Sequence, residues 1–213
     1  MSPPAPRLDR AALRRATRHL ADVDPVFARL VSELGPCRLE LNRGGSAFAY
    51  LARAILAQQI SVAAARSIAG RLRDRFGAPL LPEHILGASE VELRGLGLSR
   101  QKASYLRDLA EKTQDGLPLG RLSRLSDERV VETLTVVHGI GRWTAEMYLM
   151  FRLGRPDVLP VGDLGIRTAM KRAYRMRTTP KPERMRRIAE PWSPYRTVAC
   201  WHLWRSLDAA PPA

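Results

Sequence analysis

Two short stretches of this chain hold residue types able to do chemistry. In RPDVLPVGDLGIRTAMKRAY, Asp163 stands behind Pro160 and Gly162 at the expected start of a helix. An aspartate there most often caps the helix by accepting a backbone N–H. A carboxylate fixed in the same place could also oppose a developing positive charge or take a proton from water. The helix N-terminus favours negative charge, so capping and chemistry are compatible roles. Asp157, six residues earlier in the loop, is the weaker candidate. The second stretch is LTVVHGIGRWTA, residues 134–145, where Gly139 and Gly141 bracket Ile140. Glycine admits left-handed backbone and lets an anion approach without a Cβ in the way. Amides opening the following helix would face that anion. A tight helix–helix turn that binds nothing has the same local pattern, and both readings stand.

The elements that must position these residues read as helices. FAYLARAILAQQISVAAARSIAGRLRDRFG has apolar residues at helical spacing and predicts two helices broken near Gln58–Ser61 and closed at Gly77. Ser99 caps the helix of SRQKASYLRDLAEKTQDG, which closes near Gly116, and Ser126 opens SDERVVETLTVV. A glycine turn then runs into the helix of HGIGRWTAEMYLMFRLG; DLGIRTAMKRAYR and PYRTVACWHLWRSLD supply two more. CRLEL, residues 37–41, is the best strand candidate and too short to anchor a sheet. TTPKPER, residues 178–184, reads as a polar, proline-marked loop, and residues 1–10 as a frayed tail before a surface helix. GLGLSRQKASYL and GIGRWTAEMYLM share Gly-x-Gly, a polar turn and a helix, as two hairpins of one helical protein would. The fold class is all-α.

Composition narrows the partners. The 213 residues carry 35 basic and 21 acidic side chains, a net charge of +14 that suits a polyanion, nucleic acid before an anionic membrane surface. Lysine occurs only at Lys102, Lys112, Lys171 and Lys181, so part of the arginine excess reflects codon usage as readily as recognition. No apolar run is long enough to cross a bilayer, and the N-terminus lacks the apolar stretch of a secretory signal. A cytoplasmic monomer with a nucleic-acid partner is the expectation. Cys37 and Cys200, the only thiols, cannot supply a four-thiolate iron–sulfur cluster or a Cys-rich zinc site; both are expected reduced and partly buried, and no cofactor is required.

From AILAQQISVAAA onward, through GLGLSRQKA, HGIGRWTA, DVLPVGD and WSPYRTVACWHLW, residues 45–208 resemble AlkA-type 3-methyladenine DNA glycosylase II of the helix-hairpin-helix glycosylase superfamily. That resemblance implies two helical lobes flanking a DNA-binding cleft, in one glycosylase unit spanning residues 1–213, without the N-terminal α/β lobe of longer AlkA proteins. It implies base excision repair by base flipping and hydrolysis of the N-glycosidic bond of alkylated bases. Asp163 becomes the catalytic carboxylate, because breaking that bond builds positive charge on the sugar. Gly139, Ile140, Gly141, Arg142 and Thr144 become the grip on the DNA backbone. The family's hairpin cation, Na+ or K+, would rest on the main-chain carbonyls of Thr135, Val137 and Ile140.

Relatives that also cleave the strand carry a lysine where this chain has Trp143, so the resemblance implies a monofunctional enzyme with water as nucleophile. Trp143 and Trp204 match aromatic walls of the base pocket, whose indole faces attract a cationic alkylated base. Trp204 also fits the core of the last helix. Met147 and Leu164 stand at pocket positions that are usually tyrosine. The flipped base leaves a gap for a wedge, placed by resemblance at Gln59 with Ile60 as the alternative; Gln58 and Ser61 are strand contacts. Two other readings compete: a non-catalytic hairpin module that binds damaged DNA, and a glycosylase–lyase using Lys171.

Overall fold

The computed structural model describes residues 8–208. Every regular element among them is helical. In chain order these are α1 (Arg10–Val23), α2 (Pro25–Leu34), α3 (Ala47–Ala57), α4 (Val62–Phe76), α5 (Pro82–Gly87), α6 (Glu90–Gly95), α7 (Arg100–Gln114), α8 (Asp127–Thr135), α9 (Arg142–Met147), α10 (Leu164–Ala173), α11 (Pro182–Ile188) and α12 (Arg196–Asp208). A 3-10 turn, Leu119–Arg124, precedes α8, and a π-helical turn, Tyr148–Leu153, follows α9. The chain divides into two compact units: Met1–Asn42 with Glu146–Ala213, and Arg43–Ala145. No described helix is long and apolar enough to cross a membrane.

The first unit is organised by α12, whose residues Thr197–Cys200, His202 and Leu203 are all buried. It packs against α10, α2 and α1. Phe27 of α2 meets Trp192 edge-on at 5.0 Å, both rings fully buried, a pair that adds about 1 kcal/mol beyond its burial. The N-terminal segment is more than a tail and a surface helix. Leu8 is buried and donates its N–H to the Gly154 carbonyl (2.9 Å), Asp9 caps α1 through Ala12 N–H (2.6 Å), and Ala16 and Leu20 are fully buried. Residues 1–7 of the expected tail lie outside the described residues. CRLEL forms no strand: the segment is irregular, with Cys37 and Leu39 buried. The TTPKPER loop is shorter than expected, because Pro182 opens α11 and fixes its first backbone angle.

The second unit is built around α7, which buries Ala103, Leu106, Leu109 and Ala110 and packs on α5, α3 and α6. Its caps are those read from sequence. Ser61, Ser99 and Ser126 accept the N–H groups of Ala64, Lys102 and Arg129, and Gly77 closes α4 at φ 80°. Gly95-Leu96-Gly97 and Gly139-Ile140-Gly141 each join two helices, with left-handed backbone at Gly97 in one and Gly139 in the other.

Candidate active site and DNA-binding turns

In the second unit the hairpin is held from behind by groups distant in sequence. After α8, Val137 N–H bonds to the Leu134 carbonyl (3.2 Å) and Ile140 N–H to the Val137 carbonyl (3.0 Å), with Val137 and Ile140 buried. Asp108 of α7 accepts the His138 N–H (2.8 Å) and the Lys112 ammonium (2.5 Å). Burial pushes the Asp108 carboxyl up, but these donors outweigh it and hold it below its ordinary range. The two glycines differ in role. A Cβ on Gly139, at φ 82°, would overlap the Tyr105 ring, so this glycine faces inward. Gly141 has open space where its Cβ would be, and it alone suits an approaching phosphate.

Several expected DNA contacts are engaged within the protein. Arg142 pairs with Glu128 of α8 (2.6 Å), joining the hairpin's two helices, and Thr144 is buried. Gln58 donates its side-chain amide to the Gly139 carbonyl (2.8 Å) and so ties the turn after α3 to the hairpin. The Ser61 hydroxyl caps α4. Gln59 at the tip of that turn is exposed in left-handed backbone (φ 56°), and Ile60 beside it is also exposed. Trp143 on α9 is 48% exposed.

In the first unit Asp163 caps α10 and is 9% exposed. Its Oδ1 accepts the Ile166 N–H (2.7 Å) and the indole N–H of Trp204 on α12 (3.0 Å). Trp204 is therefore neither a plain core residue nor a bare wall: it is half-buried, its donor aimed at the carboxylate. Phe151, from the π-helical turn, lies 6.0 Å from the Trp204 ring. Leu164 opens α10 at 72% exposure, and Met147 is half-buried at the end of α9. Asp157 is occupied elsewhere. Arg196 grips it with two hydrogen bonds (2.6 and 2.7 Å) and Ser193 adds a third (2.9 Å). Burial raises the Asp157 carboxyl, and the Arg196 guanidinium overcomes that to hold it low. Lys171 lies eight residues along α10 from Asp163, about 12 Å at helical rise.

Both thiols are buried and reduced rather than partly buried. Burial pushes Cys37 up to about 12 and Cys200 higher still, the latter with help from the negative charge of Asp163. Among the described residues no group of three or more His, Cys, Asp or Glu side chains could hold a metal ion.

The pattern of HhH-GPD superfamily base excision DNA repair proteins matches residues 52–194. The chain belongs to this superfamily. It is 34% identical over 204 residues to DNA-3-methyladenine glycosylase 1 of Schizosaccharomyces pombe, covering 93% of this chain and 90% of that one. It is 30% identical over 200 residues to the alkylbase DNA glycosidase-like protein mag2 of the same yeast, covering 90% and 92%. Its fold matches that of S. pombe 3-methyladenine DNA glycosylase (Mag1) in complex with abasic DNA, with a TM-score of 0.78 and 35% identity, over 91% of this chain and 97% of that one. The all-helical reading and the resemblance to 3-methyladenine glycosylases both hold.

Within this superfamily member, sequence reasoning missed Gly165. A Cβ there would meet the Trp204 indole at 3.0 Å and Asp163 Oδ1 at 3.1 Å, so glycine lets the indole reach the carboxylate. A glycine in a helix's first turn, where it weakens the helix, is a signal that something approaches closely. Lys102 was missed too: it reaches from α7 to the Leu56 carbonyl (2.6 Å) at the end of α3.

Proposed function

We propose that this chain is a monofunctional DNA glycosylase that flips alkylated bases, 3-methyladenine and 7-methylguanine among them, out of duplex DNA and hydrolyses their N-glycosidic bond, with Asp163 as the catalytic carboxylate. One observation carries the reading: in a chain of a base-excision family, two N–H donors on separate helices converge on Asp163 Oδ1. A residue needed only as a cap gains nothing from the second donor, whereas a catalytic carboxylate gains a fixed plane.

As the bond between C1′ and the base nitrogen breaks, its electron pair leaves with the base, which is already cationic and departs neutral. The sugar takes on oxocarbenium character, which the Asp163 charge stabilises. Water adds at C1′ and gives its proton to the carboxylate, leaving an abasic site in an intact strand. Trp143 stands where an amine would be required for strand cleavage, and its exposed indole offers a π face to a cationic base. In the first unit, Trp204, Met147 and Leu164 are the remaining base-pocket candidates that the family resemblance names.

Gln59 is the wedge. It occupies the left-handed tip of an exposed turn, a strained placement that functional turns tolerate. Gly141 and the amides after it take the phosphate. The main-chain carbonyls of Thr135, Val137 and Ile140 are the neutral oxygen donors that would hold Na+ or K+, and such a cation would add positive charge to the hairpin. The enzyme acts as a monomer on double-stranded DNA.

The test is chromatography of bases freed from methylated duplex DNA, with strand integrity followed alongside. Release of methylpurines with intact abasic strands and no borohydride-trapped adduct supports the reading. Lesion DNA that is bound without release of any base makes the protein a damage-binding module. A trapped adduct with cut strands makes it a lyase.

A further inference from the structure

Half of the chain's net charge of +14 is concentrated in a segment the proposed chemistry does not use. Between Lys171 and Arg187 the sequence holds eight basic residues and one acid, Glu183. Among the described residues none of the eight has an ion-pair partner. The segment runs from the end of α10 through α11 and borders an open groove of about 680 Å³ lined by Tyr174, Met176, Lys181, Glu183, Arg184, Arg187 and Ile188.

The groove lies at the opposite end of α10 from Asp163. Asp163 caps the first residue and Tyr174 follows the last, about 16 Å away along the helix. Its apolar wall is fixed in advance. The Tyr174 hydroxyl donates to Asp24 Oδ2 (2.5 Å), which also accepts the Trp192 indole N–H (3.0 Å), and the two rings stack at 6.4 Å. A wall held this way loses little freedom when a ligand docks.

We infer that this groove docks an acidic peptide segment carrying an apolar side chain. The rim of Lys181, Arg184 and Arg187 complements carboxylates, while Tyr174, Met176 and Ile188 offer a cavity for an anchor. A duplex presents phosphates but no apolar side chain to fill that space. Glu183, on the same groove, repels a uniform run of negative charge and favours a ligand whose charges fall beside the arginines.

The experiment titrates the full-length protein into a fluorescein-labelled peptide of aspartates ending in leucine and phenylalanine, read by anisotropy. A matched peptide with both apolar residues replaced by serine runs beside it. The apolar peptide is expected to bind at least about tenfold more tightly than its serine counterpart. The exposed double variant Arg184→Glu/Arg187→Glu is expected to weaken it by about tenfold or more and to leave duplex-DNA affinity within about twofold. Ile188→Ser, which keeps the charge, weakens only the apolar peptide. Equal affinity for both peptides, or no binding below about millimolar concentration, overturns the inference. So does a parallel loss of duplex affinity in the charge-reversed variant, which assigns the surface to DNA.

Discussion

The two units carry their polar work differently. Among the described residues, all of the buried polar and charged ones except Thr144 lie in the first unit, Asp24, Glu146, Arg155, Asp163 and His202 among them. The second unit leans more on backbone: among the described residues Gly45, Gly77, Gly97, Gly116, Gly139 and the non-glycine Gln59 hold left-handed angles there, against Gly35, Gly154 and Arg175 in the first. Under the proposed function the second unit grips the phosphate backbone, which main-chain amides can do with little buried charge. The first would break the bond, which needs a carboxylate aimed by its neighbours. The second unit should therefore be sensitive to an added Cβ, and the first to pH and to lost donors.

Gly139→Ala tests the first half most severely. It forces alanine into φ 82° and drives a Cβ into the Tyr105 ring, for an expected loss of about 3 kcal/mol in urea unfolding. Survival of full stability would show that the hairpin's inward glycine is replaceable and weaken the contrast.

On the first unit's side, His202 is fully buried, and neither ring nitrogen has a hydrogen-bond partner among the described residues. Burial pushes its imidazole down to about 4. The unfolded chain protonates near 6.5, so the stability that neutral His202 contributes is full above that pH. It is lost as pH falls from there toward 4, by about 2–3 kcal/mol. Melting temperature measured from pH 7 to pH 4.5 should fall more steeply in the wild type than in His202→Leu; parallel curves would refute this.

Smaller effects sharpen the picture. Trp204→Phe removes one donor to Asp163 and should slow base excision about tenfold, near 1.5 kcal/mol, with abasic-DNA affinity unchanged. Gly141→Ala should change stability by less than about 0.5 kcal/mol, because its Cβ meets open space, and still weaken duplex binding in a filter assay. If Gly139→Ala and Gly141→Ala behave alike, the inward–outward division of the hairpin is wrong.

What was legible in the sequence was local. Ser61, Ser99, Ser126 and Asp163 each precede a helical stretch, and each caps one. The break at Gln58–Ser61 and the stop at Gly77 follow from the same short-range chemistry. CRLEL, the strand candidate, is irregular, and the proline-marked stretch runs into α11, because alternation and polarity over a few residues do not fix an element. The missed features join residues far apart in the chain: Gln58 with Gly139, Asp157 with Arg196, Trp204 with Asp163 across Gly165. No periodicity encodes such pairs. The resemblance named Asp163 and Trp204 separately, and the fold shows the hydrogen bond that makes them one device.

The most direct test of that device is single-turnover base excision by Asp163→Asn beside its unfolding free energy. Asparagine caps a helix as well as aspartate and keeps an oxygen for both Ile166 and Trp204. The expected result is a rate lower by about a thousandfold, with stability changed by less than about 1 kcal/mol and abasic-DNA binding retained. A variant that still excises bases at close to the wild-type rate would reduce Asp163 to a helix cap and contradict the account.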